Sequence, residues 1–214
     1  MRPETVLAFD TSAAHCAAAL LLPDGSCLVQ VEDMAKGQAE RLVPLIEELL
    51  HRGGARWSDL TRIAVGTGPG NFTGVRISVA TARGLALGLG IPAMGVTSLQ
   101  ALAHGQTAPV LVAQDARRGM AYLQAFNPQS EAILAPVGHL PEGFQSGSVI
   151  GELADAYALS HGLRPIAPLM PLTEAMARFA AETSVATHRK PAPFYLRGAD
   201  AAPSSDPPPV ILDA

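Results

Sequence analysis

Two stretches of this 214-residue chain place groups where they could do chemistry. Asp10-Thr11-Ser12 closes an apolar run, Thr5 to Phe9, and a carboxylate at the end of a strand can hold a hydrated Mg²⁺. The same three residue types also build turns through side-chain-to-backbone bonds. Gly66-Thr67-Gly68-Pro69-Gly70-Asn71-Phe72-Thr73-Gly74 lies between a strand-like and a helix-like segment, where backbone amides and a helix N-terminus can cradle phosphate. No Lys-Ser/Thr follows it and no frame gives G-x-G-x-x-G, so it matches neither familiar phosphate loop. It reads equally as a loop needing positive φ and close packing, with Thr73 capping the next helix.

Elsewhere the chemistry is sparse. None of His15, His51, His104, His139, His161 and His188 is three or four residues from another, and neither cysteine completes a zinc-like spacing. There is no G-x-S-x-G or comparable nucleophile context. Asp24-Gly25 predicts a two-residue hairpin, which sets Cys27 opposite Leu22 and Cys16 roughly 20 Å further along its strand. That is too far for a disulfide.

The elements that position these groups follow from periodicity. Strands are expected over 5–9, 15–22, 26–32, 63–65 and 93–96, with helices over 38–52, 73–89 and 98–104. A meander followed by β-α-β units makes a mixed sheet with helices on its faces. Residues 1–104 form this first lobe. A smaller second lobe, 105–190, has strands near 109–113, 120–126 and 148–151, and helices over 153–160 and 172–183, the last able to pack back on the first lobe. Residues 127–147 are too broken by Pro and Gly to assign. The Pro-rich tail, 198–214, reads as flexible.

Charge narrows the partners. Fifteen Lys+Arg against 19 Asp+Glu give a net charge of −4, a poor match to nucleic acid, which demands a basic face. Basic spots are confined to Arg117-Arg118 and His188-Arg189-Lys190. Charged residues make up only 16% against 48% apolar, so much surface is buried or faces a partner. No apolar run reaches the ~20 residues of a bilayer span, and no signal-peptide pattern opens the chain. A cytoplasmic location is expected. Ala80, Gly84 and Gly88 recur at i, i+4, i+8 beside Arg76 and Arg83. This face suits close approach either to its own sheet or to another chain.

Val6 to Ser12 resembles the first strand and turn of the actin-like ATPase superfamily. With Gly68 to Ile77 and Ala82 to Gly88, the chain is identified as a member of the TsaB (YeaZ) family of tRNA threonylcarbamoyladenosine biosynthesis. Ala39 to Ile46, Ile91 to Val96, Asp115 to Gly119 and Tyr195-Leu196-Arg197 are further family-like stretches. The resemblance implies an α/β fold of two ribonuclease-H-like lobes, mixed sheets flanked by helices, with the second lobe reduced. It implies a non-catalytic subunit that binds TsaD, meets TsaE within the complex and tRNA only indirectly, and forms a homodimer in isolation. TsaD modifies the adenosine at position 37 of tRNAs reading ANN codons. TsaD's H-x-x-x-H metal motif falls at Ser98 and Leu102 here, and Leu cannot ligate a metal. Asp10, Thr11, Ser12, Gly68 and Gly70 are then a vestigial nucleotide site, with no catalytic residue, no metal ligand and no cofactor expected for this chain alone; ATP and Mg²⁺ would act at the complex. The expected partner interface comprises Leu42, Ile46 and Leu49 on one helix with Arg76, Ala80, Arg83, Gly84 and Gly88 on the other. The competing reading is an autonomous enzyme of this fold, an ATP hydrolase or a peptidase.

Overall fold

Near-continuous apolar runs, as at Val6 to Phe9 and Ile63 to Val65, need cover on both faces of a strand, and the computed structural model, which describes residues 4–184 and 190–197, shows how they obtain it. In the first lobe, β1 (Val6–Asp10), β2 (His15–Leu21) and β3 (Cys27–Asp33) form a meander. The helix α1 (Gln38–Arg52) leads to β4 (Arg62–Gly66), and α2 (Phe72–Leu89) leads to β5 (Ala93–Val96). The sheet order is β3-β2-β1-β4-β5, antiparallel through the meander and parallel from β1 to β5.

The short helix α3 (Ser98–Ala103) passes to a second sheet built from β6 (Val110–Asp115), β7 (Met120–Phe126), β8 (Ile133–Pro136), β9 (Ser148–Ile150) and β10 (Arg164–Pro165). Its order, β10-β9-β6-β7-β8, repeats that of the first sheet, with the same antiparallel and parallel pairings. It is reduced: no helix joins β8 to β9, and α4 (Ala154–His161) before β10 has only 8 residues. A final helix, α5 (Leu172–Glu182), closes the described fold apart from the segment 190–197.

On the first sheet, Leu7, Phe9, Leu20, Ile63 and Val65 face α1 and α2, while Val6, Ala8, Ala64, Met94 and Val96 face α5. The terminal helices are exchanged between lobes. Leu99 and Ala103 of α3 pack on Val110, Val112 and Tyr122 of the second sheet, and α5 lies on the first. Arg62, 7% exposed, fastens α5 there. Its guanidinium donates to the carbonyls of Ala180 and Thr183 and pairs with Glu4 at 2.9 Å, satisfying acceptors that a helix C-terminus leaves open.

Four sequence expectations are corrected. The hairpin loop has three residues, Pro23-Asp24-Gly25, closed by Leu22 N–H to the Ser26 carbonyl, with Gly25 at φ +86°. Cys27 therefore opposes Leu21, and Cys16 opposes Glu32; both thiols are free. Within the unassigned stretch 127–147 lies β8, and the brief β10 escaped the periodicity altogether. Leu42, Ile46 and Leu49 are fully buried against their own sheet and cannot line a partner interface. Asn71, not Thr73, caps α2: its side chain accepts from the Gly74 amide. The Pro-rich tail at 198–214 lies outside the described residues, as do His188 and Arg189.

Candidate functional site

The turn after β1 and the loop after β4 meet at one end of the first sheet because β1 and β4 are adjacent and parallel. Asp10, Thr11 and Ser12 are all buried there. One oxygen of Asp10, Oδ2, accepts from the Ser12 amide at 3.0 Å, the Ser12 hydroxyl at 2.9 Å, and lies 2.7 Å from His15 Nε2. The other, Oδ1, has no hydrogen-bond partner among the described residues and lies so close to Gly66 that a Cβ there would fall 1.8 Å from it.

The Gly-rich loop closes directly onto this turn. Asn71 N–H donates to the Ser12 carbonyl at 2.6 Å, and Thr11 Oγ1 donates to the Gly74 carbonyl at 2.6 Å. A Cβ at Gly70 would sit 2.4 Å from Ser12 O, and one at Gly74 1.9 Å from Thr11 O. Glycine is required at both positions for close backbone approach, not for conformational freedom. Gly68, at φ +91°, is held from the far side: its carbonyl accepts from Ser98 N–H, and Phe194 N–H donates to Thr67 O.

The resemblance to actin-like ATPases implies a nucleotide with its metal, and these residues do not fit one. The amides of Ser12, Asn71 and Gly74 are already bonded within the protein. Asp10 is 0% exposed, and its Oδ2 is shared by Ser12 and His15. Nor do Ser12, His15 and Asp10 form a nucleophilic triad. Serine and imidazole both meet the same carboxylate oxygen, so the imidazole is not placed to take the serine proton. Burial opposes a charge on His15, but the hydrogen bond and charge of Asp10, with Asp33 further off, hold its pKa above the ordinary value. Burial also pushes both thiols, Cys16 and Cys27, up to about 11, which leaves them un-ionised at neutral pH.

A second feature is the outward face of α2. Val75, Ser78, Val79 and Ala82 point inward, leaving Phe72, Arg76, Ala80, Arg83, Gly84, Leu87 and Gly88 exposed. Leu87 is 86% exposed, and a Cβ on Gly84 or Gly88 would meet none of the described residues within 4 Å. The small residues therefore do not serve the helix's own sheet. At the N-terminal end of this face Arg76 lies 3.8 Å over the Phe72 ring and donates to Tyr195 Oη at 3.2 Å, while the Phe72 and Tyr195 rings lie 5.0 Å apart, tilted by 30°. Sequence reasoning found the small residues but missed Phe72 and Leu87, which continue the same i, i+4 and i, i+3 pattern. It also missed His15, which no spacing signals. On α1 the exposed apolar side chain is Val43, 38% exposed, and not the leucines.

No group of three or more His, Cys, Asp or Glu able to hold a metal occurs among the described residues. Ser98 is buried and donates to Gln114 Oε1 at 2.7 Å, and Leu102 packs against the core between α3 and the second sheet. Among the described residues no helix is long and apolar enough to cross a membrane.

Comparison with known proteins locates this architecture. A family model described as TsaD, tRNA N6-adenosine threonylcarbamoyltransferase, matches residues 29–186. The tRNA threonylcarbamoyladenosine biosynthesis protein TsaB of Escherichia coli is 34% identical over 145 residues, 61% of this chain and 62% of that protein. TsaB of Bacillus subtilis is 38% identical over 124 residues, 55% and 53% of the two chains. The chain thus spans somewhat over half the length of these curated relatives. The solved structure of YeaZ from Pseudomonas aeruginosa superposes with a TM-score of 0.71 at 30% identity, covering 90% of this chain and all of that one.

Proposed function

The chain belongs to the TsaB (YeaZ) family, and from that premise we propose that it is a non-catalytic, cytoplasmic subunit in the formation of N6-threonylcarbamoyladenosine in tRNA. It supports a TsaD-type transferase by docking on it through the outward face of α2. One observation carries the docking: Leu87 stands almost fully exposed beside Gly84 and Gly88, over which none of the described residues lies. Helices lacking side chains at such positions let a second helix approach closely, and an exposed apolar strip needs a cover. A second copy of the same face can fill that role in the absence of the transferase, giving an isologous dimer.

Support for the non-catalytic role comes from the closed Gly-rich loop and from Ser98 and Leu102 at the transferase's metal-ligating register. The test is co-purification with the TsaD-type subunit from the same cell, then threonylcarbamoyl transfer to tRNA with and without this chain. The expected result is a stable complex, stimulation by this chain, and no ATP turnover or tRNA modification by the chain alone. An ATPase rate near the ~10 s⁻¹ typical of enzymes, abolished by Asp10→Ala, would instead establish an autonomous enzyme.

A further inference from the structure

A buried carboxylate needs a counter-charge or a full set of donors, since an isolated charge taken from water costs several kcal/mol even after relaxation. In a nucleotide-binding lobe that counter-charge can be a metal ion. Here Asp10 is 0% exposed, and Oδ1 is without a partner among the described residues and packs against Gly66, where a Cβ would fall 1.8 Å from it. Among the described residues the one basic side chain in contact with it is His15, 2.7 Å away.

Its placement follows from the sheet. His15 is the first residue of β2, opposite Asp33 of β3, and β2 runs antiparallel to β1 so that its start lies beside the end of β1. The imidazole is 19% exposed and so screens the carboxylate from solvent on that side.

We infer that His15 is a built-in counter-ion, standing where a hydrated metal ion could otherwise neutralise Asp10, and that it locks the Gly-rich loop shut without nucleotide. The chain of contacts is short. His15 and Ser12 fix Asp10 Oδ2; Ser12 O then holds the Asn71 amide, and Thr11 holds Gly74 O, so the first turn of α2 is anchored to the 10–12 turn. The partner-facing helix is thereby set in position by the protein alone. This deepens the proposed function and rests on it only for what α2 is used for.

The experiment is hydrogen exchange on the full-length chain, with and without millimolar Mg·ATP, for wild type, His15→Ala, Asp10→Asn and the double variant. In the wild type, protection of the Asn71 and Gly74 amides is expected to be unchanged by Mg·ATP. His15→Ala should lower their protection at least about tenfold, the scale expected for baring a buried charge, while amides of β7 stay as they were. The double variant should recover most of that loss, because a neutral amide needs no counter-charge. If His15→Ala leaves protection within about twofold, or if the double variant is as open as His15→Ala, the imidazole only fills space and the inference falls. Protection of these amides by Mg·ATP in the wild type would overturn it as well. Association with the TsaD-type subunit is measured separately, so a chain that keeps the lock but binds no partner refutes the proposed function and leaves the counter-ion intact.

Discussion

Three donors converge on one oxygen of Asp10, and only one of them titrates near neutrality. His15 has a pKa raised by Asp10, with Asp33 the other charge that bears on it. A group whose folded pKa exceeds its unfolded value stabilises the fold fully below the unfolded value of ~6.5 and loses that contribution as pH rises through the folded value. The stability difference between wild type and His15→Gln should therefore be large near pH ~6 and shrink toward pH ~9. Urea denaturation at several pH values measures it, and a gap that widens with pH would contradict the pairing. A neighbouring residue allows a test without titration. A methyl group at position 74 would fall 1.9 Å from Thr11 O, so Gly74→Ala should cost about 2–3 kcal/mol of stability, the usual scale of overpacking. Ala at position 88, facing open space, should instead stabilise α2 by ~0.5–1 kcal/mol.

Among the elements, α2 invites the most direct perturbation. Gly84→Leu adds a side chain where none of the described residues offers an obstacle, so circular dichroism and melting should remain native. Dimerisation, read by sedimentation, and binding to the TsaD-type subunit should both weaken, by at least about tenfold if helices meet there at the usual 8–10 Å. Unchanged association would remove this face from the interface. The same helix shows what a sequence can and cannot disclose. Its extent was legible to within a residue, because apolar positions recur at helical spacing and Gly90 ends it at φ +66°. Pro44 would ordinarily break α1, yet the helix runs through it from Gln38 to Arg52. Pro44 lies on the exposed face, where the carbonyl it leaves unpaired meets water. What periodicity could not say is which of two apolar faces is covered. Leu42, Ile46 and Leu49 follow the same spacing whether they meet their own sheet or another protein, and only the fold decides between them. The Asp10–His15 contact was invisible for a related reason: five residues and a strand reversal separate the pair, a distance in sequence that no motif encodes. The short β10 has two residues, too few for any period to register.

At the scale of the whole molecule, charge limits what this chain does alone. With a net charge of −4, its affinity for tRNA should be weak and should collapse with added salt, since few phosphates are neutralised. Arg117 and Arg118, exposed at the β6–β7 turn, supply only a local basic spot. Tight binding that survives high salt, measured by filter retention on the isolated chain, would refute this. The two sheets share one topology although no repeat is visible in the residues, which is expected where layer order is set by twist and connection handedness rather than by particular side chains. The exchange of α3 and α5 between them governs something different, the order of events during synthesis. Val96 ends the first sheet, but the helix that covers Val6, Ala8, Ala64 and Met94 begins only at Leu172. At ~5–20 residues per second a ribosome takes roughly 4–15 s to make the intervening stretch. Throughout that interval one greasy side of a five-stranded sheet waits uncovered. A nascent chain stalled after His104 should therefore recruit chaperones or aggregate, whereas one stalled with α5 outside the ribosome should resist protease. A protease-resistant fragment from the shorter chain would show that the first lobe needs no loan from the end of the second.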